Sequence, residues 1–348
     1  MSASRITIDA IAMGRPLREV SDLAHEVDHC GFDGLWFTES GRVAYTGCTA
    51  AALAAPRLDI GTAVALAFPR SPMVTAQIAW ELADLTGGKF VLGLGTQVKA
   101  HNERRYSVKF DHPGSRLREY VLALRAIFAA FQGTEKLDFH GDYWSFDLLP
   151  AMWSPGPIEH PDVPIYVAAV RPWSARMAGE VADGIHVHPF HSMRYLAEVV
   201  LPAAHEGAKG AGRDPSDISI VCPVMAIIGD TEEERAKARD DTRLRIAFYG
   251  STRTYSGVFD LHGWEGTSER LHALQREGDL AGMAATITDE MLQVYSLETT
   301  WDGLADALHD KYGGVADRVV MYDATGSWQF DQEMLERWRS VTDTFHAR

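Results

Sequence analysis

The stretch GTAVALAFPRSPMVTAQIAWELADLTGGKFVLGLGTQVKAHNERR, Gly61 to Arg105, decides the fold. It begins inside an apolar run, Leu58 to Leu66, that reads as a buried strand. The segment SPMVTAQIAWELADLTGG then carries apolar residues at helical spacing. Pro72 stands near its start, where a missing N–H is harmless, and Gly87 and Gly88 follow its end. A second strand covers Phe90 to Gly93. Strand, helix and strand in this order form a βαβ unit, whose two strands lie parallel in one sheet.

The same alternation runs outward in both directions. Candidate strands are Ile6 to Ile11, Gly34 to Thr38, Leu58 to Leu66, Phe90 to Gly93, Ile165 to Ala169, Gly184 to His188, Ile218 to Ile228 and Arg318 to Tyr322. Between the first two, Leu17, Val20, Leu23, Ala24 and Val27 recur at helical spacing, and Gly31 stops the helix. Eight strands with intervening helices predict an α/β fold closed into a (β/α)8 TIM barrel. An open doubly wound sheet is disfavoured because the first three units show no dinucleotide fingerprint. GLGTQV, Gly93 to Val98, has GxG without the third glycine, and reads instead as a strand end where a ligand can approach bare backbone. Lys136 to Ile158 predicts a hairpin around Gly141 followed by a Pro-rich loop, and Ser251 to Thr299 a helical excursion. Each is too short for a core of its own, so residues 1–348 read as one domain with insertions near 136–158 and 251–299.

The 348 residues are 46% apolar and 23% charged, the balance of a globular chain. With 48 acidic against 33 basic side chains the formal charge is −15, which argues against nucleic acid or an anionic membrane as partner. The start, MSASRITIDAIAMG, lacks a secretory pattern, and no apolar run approaches the roughly 18 residues of a membrane span. Cys30, Cys48 and Cys222 lack CxxC spacing and read as core residues of a reducing compartment. A cytoplasmic protein acting on a small molecule is the expectation, with a homodimer as the default assembly.

Barrel active sites are built at the C-terminal ends of the strands. Glu39 ends the second strand and is an acid–base candidate; its structural alternative is an ion pair with Arg42. Trp36, Phe37, Tyr45, Phe68, Trp173 and Phe190 cluster near strand ends, where aromatic side chains build either core or the wall of a site for a planar ring. In HVHPFH, His186 and His188 point the same way along a strand. With no further ligands advertised, His186, His188 and His191 read as polar pocket lining rather than a metal site.

Taken together, GFDGLWFTE (Gly31 to Glu39), the Gly61 to Arg105 stretch, AGEVADGIHVHPFH (Ala178 to His191), AFYGST (Ala247 to Thr252) and DLHGW (Asp260 to Trp264) resemble the luciferase-like monooxygenase superfamily, in its branch using the deazaflavin coenzyme F420. The resemblance spans most of the chain. It implies a ring cofactor across the strand ends, against a non-prolyl cis peptide between Ala63 and Val64 and beside Gly95, Thr96 and Gln97. It also implies a phosphate held by Ala168, Ala169, Val170, Arg171 and Pro172 and by the turn with Ser174 and Arg176, where a helix N-terminus offers free N–H groups. Two departures stand out. Relatives commonly carry a His-Asp pair shortly after the strand 2 glutamate, where this chain has Arg42 and Val43, and usually a glycine in the phosphate loop where it has Arg171.

The expectation is hydride transfer between F420 and a small organic substrate, by reduction of C=C, C=N or C=O or by oxidation of an alcohol. Glu39, Gln97, Lys99 and His101 are the candidate acid–base or polar partners, and Arg42, Tyr45, Phe68, His188 and Phe190 the candidate substrate contacts. The alternatives are an FMN-dependent monooxygenase or reductase on the same fold, and a barrel serving only as a binding or partner subunit. A metal hydrolase rests on the histidines alone.

Overall fold

A computed structural model describes residues 6–322 and 331–348. Each of the eight expected strands is present: β1 (Thr7–Ala12), β2 (Gly34–Phe37), β3 (Asp59–Thr62, resumed at Ala65–Leu66), β4 (Phe90–Gly95), β5 (Ile165–Ala169), β6 (Gly184–Val187), β7 (Ser219–Val224) and β8 (Arg318–Met321). All neighbours pair in parallel, β8 pairs with β1 and β3 with β4, so the sheet closes on itself as a (β/α)8 barrel.

Alternation along each strand sorts side chains between the barrel interior and the helix layer. The helix layer is the larger core. In α1 (Leu17–His29), Val20, Leu23, Ala24 and Val27 are buried against the sheet, as their spacing requires. In α2 (Pro72–Leu85), Ser71 caps the first turn through the N–H of Val74, Pro72 occupies the first position, and Gly87 and Gly88 leave the helix with positive φ. The interior is a separate apolar layer of Ile11, Trp36, Val91, Tyr166, Val221, Val320 and Tyr322.

The interior is shut at the N-terminal end. Arg318 donates to Asp9 at 2.7 and 3.2 Å and to Asp59 at 2.8 Å, Trp36 Nε1 donates to Asp9 at 2.9 Å, and the guanidinium lies 5.4 Å from the Trp36 ring. Burial raises the Asp9 carboxyl against the lowering pull of Arg318. This buried ionic cluster closes the N-terminal end, whereas Ala63, Val64, Ala168 and His188 at the C-terminal end keep partial exposure and make that end the open one.

Two details differ from the sequence reading. The run Ile218 to Ile228 is not one strand: Ala226–Ile228 leaves the barrel after β7 and pairs with Leu297–Thr299, the end of the second insertion. The run Leu58 to Leu66 is split. Gly61 pairs with Val91 but Ala65 with Leu94, so β3 carries one residue more than β4 and bulges. The first insertion forms the expected hairpin, Phe139–His140 with Ser145–Phe146, held by Glu119, whose carboxylate accepts the N–H groups of Asp142, Tyr143 and Trp144 at 2.8 Å each.

Candidate active site

The bulge in β3 builds one wall of the open end. The peptide between Ala63 and Val64 is cis, and both residues are half-buried where their neighbours in the strand are fully covered. Glycines on β4 admit this backbone. A Cβ on Gly93 would lie 1.8 Å from the Thr62 carbonyl, and one on Gly95 would lie 2.6 Å from Val64 Cγ2. Thr62 fastens the split, accepting from the N–H of Gly93 at 2.9 Å and donating to its carbonyl at 2.7 Å. With Ala168 on β5, the wall is a run of small residues and backbone, the surface a flat ring needs.

Glu39 secures this wall from behind. Its carboxylate is buried, accepts the N–H of Leu66 at 2.7 Å and is forked by Arg70 at 2.5 and 3.0 Å. Arg70 also donates to the Leu66 carbonyl at 3.3 Å and lies 5.1 Å from the Tyr45 ring. The expected pair with Arg42 does not form: Arg42 follows the turn outward, is exposed and donates to the Gly14 carbonyl at 3.1 Å. It lines a separate cleft of about 380 Å³ with Gly14, Arg15, Thr38 and Thr46.

The opposite wall is polar and aromatic. His186 faces the interior, its ring 5.0 Å from Trp36 and 5.7 Å from Tyr166, and burial with nearby Arg318 lowers its pKa to about 3. His188, two residues on, lies one layer higher, 4.8 Å from both Tyr249 and Tyr255. The Tyr249 hydroxyl meets that of Tyr322. Tyr249, Tyr255 and Tyr322 were not among the sequence candidates, because two of them lie in or beside the insertion and only closure of the barrel brings them to β6.

At the rim between these walls, α3 (Pro172–Val181) begins. Ser174 Oγ accepts the N–H of Arg171 at 3.1 Å and donates to its carbonyl at 2.8 Å, which fixes the turn and leaves the guanidinium exposed. No carboxylate pairs with Arg171 among the described residues. Arg176 is differently placed: it pairs with Glu206 at 2.6 Å on the helix layer, so its guanidinium is already engaged.

Residues 2–318 match the model of the family described as luciferase-like monooxygenase. The chain belongs to that family. Among its relatives, the uncharacterized protein Rv1360 of Mycobacterium tuberculosis is 39% identical over 318 residues, covering 91% of this chain and 93% of the relative. A 5,10-methylenetetrahydromethanopterin reductase of Methanolobus tindarius is 27% identical, covering 82% and 84%. Among solved structures, the coenzyme F420 dependent tetrahydromethanopterin reductase of Methanopyrus kandleri superposes with a TM-score of 0.78 at 18% identity, covering 99% of both chains.

Within this luciferase-like barrel the residues singled out from the sequence separate into groups. Ala63, Val64, Gly95, Ala168, Ala169 and Val170 converge at the open end. Thr96 and Gln97 follow directly; Gln97 has φ 56° and turns its Oε1 back to the N–H of Val98 at 2.9 Å. Lys99 and His101 are exposed on the short helix Lys99–Arg104, Lys99 standing 3.8 Å from Glu103. The buried polar side chain of that helix is Asn102, which donates to Thr96 and Val98 carbonyls at 2.8 and 3.2 Å and so ties the helix to the end of β4. Phe190 is core, packed 4.8 Å from Phe259 and 4.7 Å from Tyr295. Tyr45 and Phe68 are buried as well, Phe68 beneath Arg116 at 4.8 Å. Of the five proposed substrate contacts, only His188 sits on the barrel-axis wall.

Proposed function

We propose that this protein is an oxidoreductase that binds coenzyme F420 at the C-terminal end of the barrel and acts on a small organic substrate. The observation that carries the reading is the asymmetry of the open end: small residues and bare backbone from β3, β4 and β5 face a wall of His188, Tyr249 and Tyr322. Bound there, the deazaflavin would supply hydride chemistry that no side chain of the protein possesses. Ala63, Val64, Gly95 and Ala168 would support the ring, and Glu39 with Arg70 would hold that support in place. Arg171 and the first turn of α3 offer a cation and free N–H groups for a phosphate, in a chain of charge −15 that needs such a local site. The ionic cluster and the aromatic layer beneath exclude water from below. The F420-dependent reductase named among its structural neighbours supports this choice of cofactor.

FMN is the second reading, favoured by the monooxygenase description of the family itself. Fluorescence titration with F420 and with FMN separates the two. Tight binding of F420 with weak or no binding of FMN is expected; the reverse result replaces the cofactor, and failure of both returns the protein to a binding or partner role.

A further inference from the structure

His186 in β6 and His188 just past its end differ in what their rings can do. His186 is enclosed, and its Nε2 has no hydrogen-bond partner. His188 stands one pleat higher on the same side of the strand and is only half-buried. Its Nδ1 accepts the backbone N–H of Phe190 at 3.1 Å. A backbone amide can only donate, so that nitrogen is unprotonated and in the neutral ring the proton resides on Nε2. No described residue hydrogen-bonds Nε2, and the rings of Tyr249 and Tyr255 hold the imidazole on two sides at 4.8 Å.

We propose that His188 is a fixed, neutral hydrogen-bond donor that presents Nε2–H to a carbonyl oxygen of the substrate at the open end of the barrel. This deepens the proposed function and rests on it for the identity of the site. Among the described residues, the rings packed against it are Tyr249 from the helix Glu232–Gly250 and Tyr255 from the turn Arg253–Tyr255, while His191 of the same loop bonds the His188 backbone carbonyl through Nδ1 at 2.9 Å. No carboxylate among the described residues bonds the ring to stabilise a charged form. Burial first, and His191 second, lower its pKa to about 3. A neutral imidazole N–H polarises a carbonyl without surrendering its proton, so the contribution is electrostatic and independent of pH through neutrality. It also selects the substrate. With Nδ1 occupied, the ring cannot accept from a substrate, so an oxygen acceptor is favoured over a donor such as an ammonium group and over a plain hydrocarbon.

The test is nitrogen-detected NMR of the 15N-histidine protein, with His188 assigned by its loss in His188→Gln. Expected is a single neutral Nε2–H form from about pH 5.5 to 8; a titration midpoint in that range, or a proton on Nδ1, overturns the proposal. In protein loaded with whichever ring cofactor binds, cyclohexanone should shift the His188 Nε2 resonance and methylenecyclohexane, of the same shape without the oxygen, should not. Equal or absent shifts overturn the assignment of substrate class. His188→Phe should then lower kcat/KM for ketones ten-fold or more with cofactor affinity unchanged, and His188→Gln, which keeps an N–H donor, should recover most of it. If neither cofactor binds, the proposed function falls, and the form of His188 in the ligand-free protein still decides this assignment.

Discussion

Glu39 and Arg70 hold Leu66 between them: the carboxylate takes its N–H and the guanidinium its carbonyl, while the two charges fork each other. The carboxylate that position alone nominates for acid–base chemistry is thus engaged by three donors. These bonds fix the bulged strand in place. Arg70→Met should strand the buried carboxylate and cost about 3 to 5 kcal/mol, the usual penalty for removing one member of a buried pair. Glu39→Gln, which keeps an acceptor for Leu66, should cost less. Urea unfolding of both single variants and the double variant measures the coupling; additive losses would show that the pair does not act as a unit.

Gly95 is the position where a methyl group meets the wall. In Gly95→Ala the added Cβ would lie 2.6 Å from Val64 Cγ2, a stiff β-branched side chain. Overpacking of about 1 to 3 kcal/mol is expected, together with ring-cofactor affinity reduced at least ten-fold. Equilibrium unfolding and fluorescence titration read the two effects separately. Undiminished affinity would move the ring away from β4.

Arg171→Gly tests the rim. A charge-assisted contact to phosphate contributes roughly 1.5 to 3 kcal/mol, so loss of the guanidinium should weaken a phosphorylated ring cofactor ten-fold or more. The effect should shrink as salt is raised. Titrations of both proteins at two ionic strengths check this, and tighter binding by the variant would mean that the side chain obstructs the site.

Three histidines make the fold acid-sensitive. His186 and His188 titrate at about 3 and His191 at about 4 in the folded chain, against 6.5 for the free side chain, each lowered chiefly by burial. As pH falls below 6.5 the unfolded chain takes up protons that the folded chain refuses, so stability declines with acid. Below about pH 5.5 the slope approaches three protons, about 4 kcal/mol per pH unit. A margin of about 5 to 15 kcal/mol does not survive far into that window. Urea midpoints at successive pH values should show the slope, and His186→Leu should remove about a third of it.

The eight strands were legible because apolar runs of strand length alternate with helical spacing, and neither signal depends on partners distant in sequence. The bulge was visible only through family resemblance, which placed the cis peptide at Ala63–Val64; periodicity alone read Leu58 to Leu66 as continuous. Side-chain direction was harder. Lys99 and His101 follow the same strand end as Asn102, yet helix phase turns Asn102 inward and the other two to solvent. Arg176 carries the charge expected of a phosphate ligand, but it faces Glu206, which is 30 residues away in sequence. Phe190 follows a strand whose tip lines the barrel axis, and the turn at Pro189 sends it into the insertion core instead. Local pattern has no access to such pairings.

The ionic cluster at the closed end also sets a constraint in time. Arg318 and Asp9 are 309 residues apart, and their contact seals the first strand to the last. A chain emerging from the ribosome at about 5 to 20 residues per second therefore holds β1 with one edge unpaired until β8 has been made. The barrel has no shorter closed form to rest in. Its birth passes through an open sheet with a sticky margin, and the burden of keeping that margin from other chains falls on the cell rather than on the finished molecule.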